Sequence, residues 1–307
     1  MADVFFGDRF VDETQALLPV TTHALHYGIA VFEGIRAYRT AEGSAIFRPT
    51  DHYRRFLKNA ALLQMQLPHS AEDLTALTIE LLQRNENYGD TYIRPLIYSS
   101  STKVGAHLQP GGEKLAIMTF AWTPTSFPPS VSTATYSKWR RFSHVSCPAG
   151  AKIAGLYVNS ALAIDESKRR GFDQTIMLSA GGEVAEGYGA NIFAVFGDKV
   201  MTPPESADIL AGITRDTLIR HFQSHKDLSM SVESIAPDQL FDADEIFLCG
   251  TGLEIRPIGR LEDRVIGTGG IGPITTEAAR WYRAIVTGTI PAPDGWRVRV
   301  VPPGPRK

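Results

Sequence analysis

Hydrophobic and polar positions along the chain switch between two periods. Alternating or short apolar runs mark strands, and apolar residues recurring every three to four positions mark helices. Val4-Phe5-Phe6 and Arg9-Phe10-Val11 flank Gly7-Asp8 and predict an opening hairpin. Residues 32–38 and 45–47 predict a second pair of strands around Ala41-Glu42-Gly43-Ser44. Leu57, Ala60, Ala61 and Met65 recur at helical spacing behind Thr50-Asp51, which can cap that helix, and residues 70–82 predict another. Residues 91–98 and 115–120 read as strands.

The stretch 123–130 holds Pro124, Pro128 and Pro129, which fit neither a helix interior nor a central strand. The interdomain connection is therefore placed at 123–133. It separates a small α+β domain over 1–122 from a large α+β domain over 134–307. The second half predicts a strand at 134–139, a helix at 158–169, a strand-rich stretch over 174–201 and a helix at 214–221. Strands at 245–249 and 253–258 and a last helix at 275–286 complete it. This order predicts α+β halves rather than a doubly wound parallel sheet.

Composition narrows the class. The 307 residues are 43% hydrophobic and 21% charged, which suits a globular chain with a buried core. A net charge of -2 gives no basic excess to attract nucleic acid or an anionic membrane. No apolar run approaches the ~18 residues of a membrane helix. The first residues include acids and no apolar core, so no signal peptide is expected. Cys147 and Cys249 form no CxxC motif and require no oxidising compartment. The expectation is a soluble cytoplasmic protein.

Two features could carry chemistry. Gly267-Thr-Gly-Gly-Ile-Gly272 matches the GxGxxG pattern, but the acid that dinucleotide binding needs ~20 residues on is absent, and Pro273 suits the first residue of a helix. A glycine turn before a helix is the expectation there. Lys152 differs from the other lysines. It lies between Pro148-Ala-Gly-Ala151 and Ile153-Ala-Gly-Leu156, with no charge nearby. Burial would favour the neutral amine that condensation with an aldehyde requires, and the small neighbours would admit a flat cofactor. The alternative for the residue alone is a turn lysine that reaches solvent.

Further motifs bear on that choice. They are His23-Ala-Leu-His-Tyr-Gly28, Phe32-Glu-Gly-Ile-Arg36, His52-Tyr-Arg-Arg55, Tyr92-Ile-Arg-Pro-Leu96, Lys152 with Tyr157, Glu186-Gly-Tyr-Gly-Ala-Asn191, Gly212-Ile-Thr-Arg-Asp216 and Gly250-Thr-Gly252. In this order and spacing, over residues 23–273, the chain resembles the class IV (fold type IV) aminotransferases. Within them it is most similar to the branched-chain amino acid aminotransferases. The resemblance implies two α+β domains with pyridoxal 5'-phosphate between them, and a homodimer or higher homo-oligomer. The implied substrates are small amino acids and 2-oxo acids: leucine, isoleucine or valine gives its amino group to 2-oxoglutarate. A D-amino acid or (R)-amine transaminase, or an aminodeoxychorismate lyase, is the alternative of the same fold.

The resemblance also assigns roles. Lys152 carries the cofactor and moves the proton during exchange. Glu186 faces the ring nitrogen and keeps it protonated. Tyr157 donates to the ring's phenolic oxygen, and Asn191 belongs to the same cofactor set. Arg55 binds the phosphate, with the backbone of Gly212, Ile213 and Thr214 before a helix and the hydroxyl of Thr251. Arg54, beside Arg55, is expected at the surface. Tyr27, Phe32, Arg36, Tyr92, Arg94 and Trp122 are the implied substrate-pocket residues, with Thr251 and Gly252 near the α-carboxylate. Arg94 is first choice, and Arg36 second, for a distal carboxylate. Two positions depart from the family pattern. Residues 99–106 replace a Gly-Met-Gly loop, and Thr125 stands where a tyrosine is expected. The segment 99–107 is the candidate for the loop that closes the pocket of a partner subunit.

Overall fold

The computed structural model describes residues 2–302. The chain forms two compact units. The first takes the chain up to Pro124, the short stretch Lys152–Gly155 and the chain from Ala284 on; the second takes Thr125–Ala151 and Leu156–Arg283. The expected assignment of all residues after 134 to one domain is corrected on two counts. The C-terminal strand Arg297–Val300 pairs antiparallel with residues 44–47 of the first unit, and Lys152–Gly155 is hydrogen-bonded to that unit as well.

In the first unit the strands are β1 (Asp3–Gly7), β2 (Arg9–Asp12), β3 (Ala30–Phe32), β4 (Ile35–Thr40), β5 (Gly43–Phe47), β6 (Thr91–Ser99) and β7 (Glu113–Ala121). The sheet runs Arg297–Val300, β5, β4, β6, β7, β1, β2, with β3 also paired to β6. The expected continuous strand over 32–38 is broken at Glu33-Gly34. Phe32 pairs with Leu96 and Ile35 with Ile93, and between them Pro95 has no N–H to give the ladder. Glu33 N–H still donates to the Pro95 carbonyl at 3.0 Å.

Three helices, α1 (His23–Tyr27), α2 (Pro49–Leu62) and α3 (Ala71–Arg84), belong to this unit. Helix α2 starts one residue before the expected Thr50-Asp51 cap. Pro49 takes its first position, where a fixed φ and a missing N–H cost nothing, and Asp51 pairs with the Arg48 side chain at 2.7 Å. Helix α3 is capped by Ser70 with Asp73 in a reciprocal box. Tyr53, Phe56, Leu74, Leu81 and Leu82 bury the inner faces of α2 and α3.

The second unit contains β8 (Ser132–Tyr136), α4 (Tyr157–Arg169), β9 (Gln174–Leu178), β10 (Val184–Gly187), β11 (Asn191–Phe196), β12 (Lys199–Thr202), α5 (Ile213–Gln223), β13 (Ser229–Val232), β14 (Glu245–Gly250), β15 (Glu254–Leu261), β16 (Arg264–Val265) and α6 (Pro273–Thr287) as far as Arg283. Its sheet runs β10, β9, β8, β15, β14, β11, β12, β13. Strand alternation divides β11 and β14 between two cores. Ile192, Ala194, Ile246 and Leu248 join one apolar cluster, while Phe193 stacks on Phe247 at 5.1 Å with Phe222 of α5 beside them.

The glycine run 267–272 leads into α6, with Gly267 against the Asp244 backbone and Gly272 against the Glu245 side chain. The Glu245 carboxylate accepts the backbone N–H of Ile274 at 3.0 Å and of Thr275 at 2.7 Å. A Cβ on Gly272 would collide with that carboxylate. The helix terminus where a phosphate would dock thus already holds an anion of this chain.

Candidate active site

The first unit positions Lys152 through its backbone. The Phe32 N–H donates to the Lys152 carbonyl at 3.2 Å, and Gly155 N–H donates to the Gly28 carbonyl at 3.1 Å. Val31 and Ile153 form an antiparallel bridge between these two bonds. Gly28 caps α1 with φ +66°, and a Cβ there would stand 2.5 Å from the Gly155 Cα. Close approach of two backbones explains the small residues around Lys152. The Lys152 side chain is half-buried, with Nζ 4.8 Å from the centroid of the Phe32 ring.

Arg94 meets the same ring. Its guanidinium carbon lies 4.5 Å from the Phe32 centroid, its Nη2 donates to the Tyr92 hydroxyl at 2.7 Å, and its Nε is buried with no hydrogen-bond partner among the described residues. Tyr92 stacks on Trp122 at 5.0 Å. A Cβ on Gly34 would collide with the Tyr92 hydroxyl, so this motif glycine makes room for the tyrosine. Phe32, Tyr92, Arg94 and Trp122 are therefore brought together, with Lys152 on one end.

Arg36 is placed differently. It is 1% exposed, pairs with Asp90 at 3.5 Å, and lies 4.3 Å from the Tyr38 ring centroid and 5.7 Å from that of Trp122. Its charge is committed within the fold, and it supports Trp122 from inside. To act as a reserve contact for substrate, Arg36 would have to leave this pairing. Tyr27 holds the loop after β6: its hydroxyl accepts the Gly105 N–H at 3.0 Å, while His23 Nε2 lies 2.7 Å from the Gly105 carbonyl oxygen.

The Arg55 Nε and Nη2 donate to the two oxygens of Glu33, to which no motif assigns a role, at 2.7 and 2.8 Å. His52 Nδ1 lies 3.0 Å from Glu33 Oε2. Burial alone would raise the Glu33 carboxyl, yet the Arg55 charge and the His52 contact hold it well below the usual carboxylate range. Burial also pushes the His52 imidazole below its ordinary value, against the pull of Glu33. Arg54 points away, 3.4 Å from Glu72 on the surface, as expected.

In the second unit Glu186 lies on β10, buried. Arg141 pairs with its Oε1 at 3.2 Å, and Asn191 Nδ2 and the Leu210 N–H donate to its Oε2 at 2.9 and 3.2 Å. A buried carboxylate is costly unless its charge is met in this way. Arg141 also donates to the carbonyls of Asp208 and Ala149, at 3.2 and 3.1 Å, which fixes its plane. Asn191 reaches the Leu210 carbonyl at 2.8 Å, and a Cβ on Gly212 would collide with the Asn191 side chain. Gly212 is the N-cap of α5, and Ile213 and Thr214 open the helix. Tyr157 starts α4, and Thr251 and Gly252 form the turn between β14 and β15. No role for Glu33, Arg141 or Asp90 is legible in the sequence. A lone carboxylate in the apolar run Ala30-Val-Phe-Glu-Gly-Ile35 was the one available signal.

These donor sets fit pyridoxal phosphate. There is an amine on an aromatic face, a buried carboxylate with its charge compensated, and a helix N-terminus entered through a glycine that leaves no room for a side chain. Comparison with known proteins agrees. Residues 30–261 match the family model described as amino-transferase class IV. The chain is 38% identical over 294 residues to a probable branched-chain-amino-acid aminotransferase of Aquifex aeolicus, covering 95% of this chain and 94% of that protein. Among solved structures, the branched-chain aminotransferase of Thermoproteus uzoniensis with norvaline is similar at a TM-score of 0.92 and 36% identity, over 98% of this chain and 99% of that one. The branched-chain amino acid aminotransferase of Thermobaculum terrenum in its PLP-form is similar at a TM-score of 0.93 and 30% identity, over 97% of this chain and 98% of that one. The chain belongs to the class IV aminotransferase family, whose members use pyridoxal phosphate, and its α+β fold is that of the family.

Proposed function

We propose that this aminotransferase moves the amino group of leucine, isoleucine and valine, as L-amino acids, to 2-oxoglutarate. The observation that carries the reading is the Phe32 ring shared by the Lys152 amine and the Arg94 guanidinium, at 4.8 and 4.5 Å. An apolar ring suits an aliphatic side chain. A guanidinium N–H with no partner among the described residues suits the distal carboxylate of glutamate, since leaving such a donor unmet costs about 1–3 kcal/mol. The names of the similar proteins support the same substrates.

When bound, pyridoxal phosphate supplies an aldehyde for amine exchange and a ring that draws electrons from the substrate Cα. Lys152 anchors it and carries the proton between Cα and C4′. Glu186 holds a proton at the ring nitrogen, and Arg141 and Asn191 hold Glu186. Tyr157 donates to the phenolic oxygen. Arg55, the N–H groups of Ile213 and Thr214, and the Thr251 hydroxyl hold the phosphate. The Thr251-Gly252 turn receives the α-carboxylate.

The unit of function is a homodimer or a larger homo-oligomer. The first half of α4 turns apolar residues outward: Val158 and Leu162 are 58% and 41% exposed, while Asn159 and Ser160 are buried. Val104, in the loop that Tyr27 holds, is 89% exposed. A second copy is the cover these apolar residues fit. Sedimentation of wild type as a monomer would contradict this. Both cysteines are free, which suits the reducing cytoplasm, and subcellular fractionation tests the compartment.

An amino-donor panel with 2-oxoglutarate, read for the chirality of the glutamate formed, tests the activity. Highest rates with leucine, isoleucine and valine are expected. Preference for D-amino acids or (R)-amines, or pyruvate release from aminodeoxychorismate, would overturn it.

A further inference from the structure

We propose that Glu33 is a positioning residue for the cofactor phosphate, aiming the Arg55 guanidinium from behind. The inference rests on the reading that Arg55 binds that phosphate. Its basis is the geometry of three side chains. His52 and Arg55 are three residues apart on α2 and so share a helix face. Both reach the carboxylate of Glu33, which sits at the break between β3 and β4. The Arg55 contact uses two N–H groups on two oxygens, at 2.7 and 2.8 Å, and a bidentate pair fixes the plane of the guanidinium as a single bond cannot. The His52 contact and the Gly34 N–H, 3.3 Å from Oε2, hold the carboxylate in turn.

The pair is asymmetric. The Glu33 side chain is 0% exposed and that of Arg55 12%. The carboxylate is the inner member and the arginine the outer one. A pair kept for stability alone has no need of this arrangement, because buried ion pairs are replaceable by apolar residues at little cost. An arginine that must present its charge in one direction does need a rigid backing.

The charge of Glu33 also opposes an incoming dianion, so its removal has two effects of opposite sign. Loss of aim weakens phosphate binding, and loss of repulsion strengthens it. The sign of the result separates a positioning residue from a charge screen.

The test compares apo-protein affinity for pyridoxal 5'-phosphate and for pyridoxal, which lacks the phosphate, by fluorescence titration. Glu33→Gln is expected to weaken pyridoxal phosphate by about 10- to 100-fold, the scale of a charged hydrogen bond. Pyridoxal should change by less than about twofold, since its contacts avoid Arg55. Arg55→Met should lower the same ratio of affinities, and adding Glu33→Gln to it should lower the ratio no further. Tighter binding of pyridoxal phosphate by Glu33→Gln, equal weakening of both ligands, or additive losses in the double variant would each overturn the inference. If Glu33→Gln alone does not fold, the double variant, which removes both charges, is compared with Arg55→Met: equal ratios support the inference and a further drop overturns it. An unchanged ratio in Arg55→Met would instead overturn the phosphate reading of Arg55 itself.

Discussion

The Phe32 N–H donates to the carbonyl of Lys152 at 3.2 Å, so the residue that presents the amine is tied by its backbone to the residue whose ring that amine faces. Placement of Lys152 thus depends on a backbone contact rather than on its own side chain. Two glycines make the contact possible.

Gly28→Ala should break this arrangement. The added Cβ would meet Gly155 backbone at 2.5 Å, and φ is +66°. A loss of stability above ~1 kcal/mol is expected, more than the backbone strain of a positive φ alone. Gly171→Ala is the control, since Gly171 has φ +83° and a Cβ added there would meet no described residue within 4 Å beyond its chain neighbours. Urea titration of both variants decides it, and equal losses would argue against the close approach.

Glu186→Gln should retain cofactor and transaminate at least about 100-fold more slowly, the scale of a lost electrostatic contact in the transition state. The side chain keeps its size while Arg141 loses its ionic partner. Stopped-flow measurement of the half-reaction with L-leucine checks this. Rates near wild type would mean that another acid serves the ring nitrogen.

Much of this arrangement was legible in the sequence. Strand and helix periods located most elements to within a few residues, although α2 buries Tyr53, Phe56 and Ala60 with the polar His52 and Asn59, while Ala61 is exposed and Met65 lies beyond the helix end. The motif residues Phe32, Tyr92, Arg94 and Trp122 do meet in space. What the sequence hid are pairings across distance. Glu33 with Arg55 and Arg36 with Asp90 are 22 and 54 residues apart, and no local pattern encodes either. The C-terminal strand Arg297–Val300 was also hidden, since alternating arginine and valine reads as weakly apolar until β5 is seen beside it. The true start of α2 depended on Pro49 rather than on the more familiar Thr-Asp cap.

Stability should fall below pH ~6.5 through His52, the ordinary histidine value. Burial lowers the folded pKa of His52 below that of the unfolded chain. Between the two values the unfolded chain binds the extra proton, so unfolding is favoured as pH falls, by at most about 1.4 kcal/mol per pH unit. Above the unfolded value the contribution is intact. His52→Gln should flatten this part of the profile. Urea midpoints of apo-protein near neutral and mildly acid pH measure it, and an equally steep fall in the variant would exclude His52 as the source.

Arg94→Ala should damage the half-reaction with glutamate more than that with leucine. Only the former brings a second carboxylate, and a buried charge needs a partner. With Thr125 where the family has a tyrosine, wild type should already be slower with glutamate than with leucine. Single-turnover spectra follow each half-reaction separately. Equal losses would show that Arg94 holds the shared α-carboxylate or the fold.

The central claim is that Lys152 bears the cofactor. Borohydride reduction of the yellow holoenzyme, followed by digestion and peptide mass spectrometry, tests it most directly. A phosphopyridoxyl mass on the peptide containing Lys152, together with lost turnover in Lys152→Ala, is the predicted result. The same mass on a peptide carrying a different lysine would contradict the account.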